Sequence, residues 1–102
     1  MLVLPIKKKW FDMIRSGEKK EEYRDITRYW TKRFKKYLQD KERKPFEILL
    51  RNGYGKDKPT LKCLVSIGID YGLPKWGGYL GETYYVLTIL RVEDYIENKE
   101  RC

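Results

Sequence analysis

Histidine is absent from all 102 residues. The side chain that most often serves as a general base near neutral pH, and most often ligates metals, is therefore missing, and serine–histidine chemistry is excluded. Cysteine is scarce: Cys63 lies in an apolar alternating run and Cys102 is the last residue, so there is neither a CxxC pair nor a disulfide framework. A reducing, cytoplasmic setting is the expectation. No stretch approaches the ~20 apolar residues that a membrane helix needs. The start "MLVLPIKKKW" turns basic too early for a signal peptide, whose charge precedes its apolar segment. No D-x-D style carboxylate cluster suggests a metal, and no motif calls for a cofactor.

What is present suffices for one folded domain over residues 1–102. The apolar set is 41% of the chain and includes nine Tyr, three Trp and three Phe, a mass that disordered polyelectrolytes lack. The net charge is +8, and all of the excess lies in the first half: residues 1–51 hold 16 Lys and Arg against 8 Asp and Glu, residues 52–102 hold 7 against 7. This asymmetry reads either as a basic surface kept for solubility or as a site for an anionic partner such as RNA or a nucleotide.

"LVLPI" (Leu2 to Ile6) is short and apolar, and Pro5 cannot donate to a ladder, which predicts an edge strand. Trp10, Phe11 and Ile14 then share a helical face from about Lys7 to Arg15, with Gly17 where a helix end wants a left-handed residue. Lys19 to Arg24 is expected to be a strand. From Ile26 the series Ile26, Tyr29, Trp30, Phe34, Tyr37 and Leu38 predicts an amphipathic helix with those aromatics in the core. "FEILLRNGY", "KPTLKCLVSIGIDYG" and "TYYVLTILRV" read as strands, the last apolar on both parities. The sum is an α+β fold of about five strands and two helices, with a sheet expected to be antiparallel and to form a small β-barrel.

The densest chemistry is in "SGEKKEEYRD", where "GEKKEEYR" has the form G-x-K-x-x-E-x-R with Gly17, Lys19, Glu22 and Arg24 at the marked positions. Together with "LPIKKKWFDMIRS" before it and "RYWTKRF", "RNGYG" and "GLPKWGG" after it, the motif resembles the ASCH domain family of the PUA-like superfamily, in its compact phage and prokaryotic form. The resemblance covers nearly the whole chain. It implies a PUA-like barrel whose motif lines a cleft for RNA or nucleotides. Some relatives are amidohydrolases acting on N4-acylated cytidine, and one is a ribonuclease. In the amidohydrolases the motif lysine works with a threonine three residues on and a later glutamate. Here Lys19 matches the lysine and Glu22 stands at the threonine position, with Glu82 and Asp70 as candidates for the later carboxylate. Binding is thus the first expectation and hydrolysis through Lys19 and Glu22 the alternative.

Physically, opposite charges meeting in a semi-enclosed cleft can satisfy one another, and Arg24 could then read an anion with its planar fork. The same residues on an open surface would be an ion-pair lattice of little worth. Strict strand alternation puts Glu22 and Arg24 on one face and Lys19 on the other, unless Lys19 lies in the turn before the strand. Arg28, Lys32, Arg33, Lys35 and Lys36 form either a phosphate-contact strip or a solvated helix face. In "YGLPKWGGYLGE", Trp76 and Tyr79 either stack on a splayed base or plug the barrel end, and Tyr54 and Tyr71 also sit beside glycines.

Overall fold

The computed structural model describes residues 1–96; Cys102 lies outside the described residues. Alternation and period set the elements. β1 (Leu2–Ile6) is followed by α1 (Lys8–Ser16), whose apolar face places Phe11 and Ile14 in the core, and Gly17 ends it at φ 89°. Only glycine takes that left-handed turn without strain. β2 (Glu21–Arg24) is shorter than the sequence predicts, because Lys19 and Lys20 lie in the turn before it. α2 (Arg28–Leu38) starts at Thr27, whose hydroxyl accepts from the Trp30 amide at 3.2 Å, so Ile26 falls outside the helix and is exposed. β3 (Phe46–Asn52), β4 (Thr60–Tyr71) and β5 (Thr83–Tyr95) complete the five strands.

The sheet runs β1-β3-β4-β5-β2. Its pairs are antiparallel except β1 with β3, which run parallel, a departure from the all-antiparallel expectation. A parallel pair needs a long crossover, which α1, β2 and α2 together provide. A bulge at Leu64/Val65, opposite Leu90, adds local twist and helps the sheet to curl. The result is an α+β fold with a five-stranded, barrel-like sheet. Its two edge strands, β1 and β2, are not joined by a ladder but are linked by a side-chain bond, Arg24 Nη2 donating to the Pro5 carbonyl at 2.8 Å. No described helix is long and apolar enough to cross a membrane.

The concave face buries Leu4 and Ile6, Ile48 and Leu50, Leu61, Cys63, Val65 and Ile67, and Tyr85 and Leu87, the alternate residues of four strands. α2 covers this face with Phe34, which stacks on Trp30 and meets Tyr85 edge-on. β5 is buried on both parities from Tyr84 to Leu87, as its sequence predicts. Tyr84, on the outer face, lies against Tyr23 beneath the glycine-rich loop, where its hydroxyl accepts from the Tyr79 amide at 2.9 Å. Phe34 is fully buried, so Phe34→Ala is expected to lower stability by about 3–5 kcal/mol, read as the midpoint of urea unfolding, while Lys32→Ala stays within about 0.5 kcal/mol of wild type.

Candidate functional site

The seam between β1 and β2 is where the barrel stays open, and a cleft of about 750 Å³ occupies it. One wall comes from the ends of β1 and β3 with Ile6, Lys7, Asn52 and Tyr54; the other comes from β2 and the start of α2 with Arg24, Tyr29 and Trp30. Trp10 of α1 also lines it. Glu22 and Arg24 reach it from alternate positions of β2, hence from one face.

Glu22 is shared between two cations. Its Oε2 accepts from Arg24 Nη2 at 2.8 Å and its Oε1 lies 3.3 Å from Lys19 Nζ. All three side chains are withdrawn from water, at 1% exposure for Lys19, 9% for Glu22 and 12% for Arg24. The ion-pair network is therefore a buried one and not an open surface lattice. Parity does not obstruct it, because Lys19 sits in the turn ahead of β2, where its amide donates to the Met13 carbonyl at 2.9 Å and anchors it to the end of α1. Lys19 Nζ also donates to the carbonyls of Glu21 and Trp76. Its three N–H groups thus meet three protein acceptors, and the ring faces of Trp10 and Tyr23 lie 5.1 and 4.9 Å away.

These contacts define what the group can do. Burial pulls the Lys19 ammonium below its ordinary range, opposed by the adjacent Glu22 carboxylate. Lys19 does not line the cleft, and its donors are all engaged by the protein, so its place is behind Glu22, holding that carboxylate in position. Glu22 and Arg24 are the members that face the cleft. Arg24 Nε is buried without a hydrogen-bond partner, and the guanidinium lies 5.0 Å from the Trp30 ring. Cys63 lies below in the core; burial foremost, then the Glu22 charge, pushes its thiol up to about 12, which leaves it an inert apolar group.

The remaining candidates from the sequence are distributed unevenly. Trp76 enters the network through its carbonyl, not its ring, which carries Lys75 Nζ at 4.6 Å; neither Trp76 nor the exposed Tyr79 lines the cleft. Asp70 and Glu82 are exposed and also lie outside it. Arg28, Lys32, Arg33, Lys35 and Lys36 are all exposed on α2, and Arg33 stacks on Tyr29 at 3.6 Å, which brings it to the cleft lip. Helical spacing predicts Tyr29 and Trp30 in the core, but both wall the cleft, Tyr29 exposed and Trp30 half-buried. The signal available for Tyr29 was its flank position beside Arg33, one turn on, at the border between the apolar and basic faces. Among the described residues, no group of three or more Cys, Asp or Glu side chains is arranged to hold a metal ion. Set against known proteins, the chain matches no family model, no curated protein and no solved structure.

Lys19→Met would leave Glu22 with one cation and the partly buried carbonyls of Glu21 and Trp76 without their donor. A loss of about 3–5 kcal/mol is expected in urea unfolding, against less than about 0.5 kcal/mol for Lys20→Met at the exposed neighbour. Tyr23 supplies a pH test. Burial foremost pushes its hydroxyl up to about 12, from 10.0 in the unfolded chain. Its stabilising contribution is therefore fully present below pH 10 and lost as pH rises towards about 12, because the unfolded chain gives up the proton first. Stability measured across that window should fall more steeply for wild type than for Tyr23→Phe.

Proposed function

We propose that this chain binds RNA or a nucleotide-like ligand in the β1–β2 cleft, as a member of the ASCH domain family would. The observation that carries this reading is the composition of one continuous surface. An aromatic-walled cleft with a buried Glu22–Arg24 pair at its base opens beside a helix that holds five cations and no carboxylate between Arg28 and Leu38. Aromatic walls suit the apolar faces of an unpaired base, while a fixed carboxylate and guanidinium suit its polar edge. Elsewhere on the fold several cations are matched, among them Lys8 with Asp12, Arg15 with Asp94, and Lys62 and Arg91 with Glu47. The α2 cations have no carboxylate partner among the described residues, so phosphate oxygens would supply the missing counter-charge.

The hydrolytic alternative has no separate observation in its favour, since Lys19 is enclosed and Glu22 is held between two cations. The binding reading predicts affinity for single-stranded RNA hexamers that falls steeply with added salt. In fluorescence anisotropy at several salt concentrations, the double variant Lys32→Glu, Lys35→Glu should reduce the slope of log affinity against log salt by about 1.4, about 0.7 for each phosphate that the helix then fails to neutralise. A slope unchanged by the variant removes α2 from the interface, and no measurable RNA or nucleotide affinity in wild type refutes the reading.

A further inference from the structure

The aromatic side chains around the cleft are not equivalent, because most have their ring faces occupied by the protein. Trp10 has Lys9 Nζ 4.5 Å and Lys19 Nζ 5.1 Å from its ring. Tyr23 lies between Lys19 and Tyr84, with its hydroxyl donating to Glu21 Oε1. Tyr29 carries the Arg33 guanidinium, and Trp30 stacks on Phe34 with Arg24 nearby. Tyr54 is different. It lines the cleft, yet it is 88% exposed and has no ring, cation or hydrogen-bond partner among the described residues.

The local backbone explains how a large ring is held there. Gly53 adopts φ 114°, a left-handed turn at which the chain leaves β3, and the loop is closed behind Tyr54 by the Asn52 amide donating to the Pro59 carbonyl and the Lys58 amide to the Gly55 carbonyl. Such a loop presents the ring on a short closed frame. Leaving a tyrosine ring wholly in water forgoes the apolar burial that the other cleft aromatics obtain. The described residues leave that ring open at the edge of the cleft.

Resting on the cleft reading above, we infer that Tyr54 is the stacking platform of the site, and that the ligand class is one with a flat heteroaromatic ring, nucleobase in size, laid on its open face. Recognition then divides between two sets of residues. Tyr54 selects for a ring without regard to its substituents, since every base offers a π-face, and the Glu22–Arg24 pair meets the ring's polar edge. A ligand that is anionic but not aromatic gains nothing from Tyr54.

The test compares adenosine and uridine 5′-monophosphates with ribose 5-phosphate, each titrated by calorimetry against wild type, Tyr54→Ala, Tyr54→Leu, Tyr54→Phe and Tyr29→Ala. Wild type is expected to bind the ring-bearing probes about ten- to hundred-fold more tightly than ribose 5-phosphate. Tyr54→Ala and Tyr54→Leu should abolish that preference at an unchanged melting temperature, and Tyr54→Phe should keep it. The inference is overturned if Tyr54→Ala binds as wild type while Tyr29→Ala weakens binding, an outcome that leaves the cleft reading intact. It is also overturned if Tyr54→Leu retains the preference, because apolar cover and not ring stacking would then be at work. Failure of wild type to bind either ring-bearing probe overturns this inference, and the cleft reading falls with it only if the single-stranded RNA hexamers also fail to bind.

Discussion

Glu22 is a carboxylate taken out of water, and the arrangement around it follows from that fact. Burying an isolated charge costs several kcal/mol, so Glu22 is tolerable only with both Lys19 and Arg24 in place. Each cation then has donors left over, and those donors reach other segments. Lys19 takes the Trp76 carbonyl and ties the glycine-rich loop to the turn before β2. Arg24 takes the Pro5 carbonyl and draws the two edge strands together. One buried charge thereby fixes the turn after α1, the seam of the sheet and the loop between β4 and β5.

The cleft is a consequence of how that seam is closed. A backbone ladder between β1 and β2 would bring the strands within about 5 Å and leave no room. A side-chain bridge by Arg24 joins them at one point and leaves an opening beside it, which aromatic side chains from α1, α2 and the β3–β4 loop surround. The ion-pair network closes the seam and floors the cleft at once. Lys19 is directed wholly inward, whereas Glu22 and Arg24 form both the internal pair and the floor of the cleft.

Charge follows a second pattern outside the seam. On the sheet, cations and carboxylates sit opposite one another, as with Glu47 between Lys62 and Arg91. On α2 they do not. Its apolar side packs Phe34 into the core while Arg28, Lys32, Arg33, Lys35 and Lys36 are exposed, so five cations of the N-terminal half lie on one helix, and Arg33 meets the cleft-lining Tyr29.

Much of the fold was legible because periodicity reports burial directly. Leu61, Cys63, Val65 and Ile67 alternate into the core, Gly17 ends the first helix, Pro5 marks an edge strand, and the doubly apolar run at Tyr84 to Leu87 is buried on both faces. The charged motif was equally visible as a set of residues. Which side chains carry charge, which must be hidden, and that the last strand needs cover on both sides are properties of residue type and spacing, and a linear reading reaches them. Only the tertiary structure decided that Lys19 leaves the strand and turns inward, that Tyr29 and Trp30 face a cleft while the Trp76 ring does not, and that β1 pairs in parallel with β3. Those outcomes depend on which distant segments meet, and a local pattern of residues holds no record of the partner that comes to lie across from it.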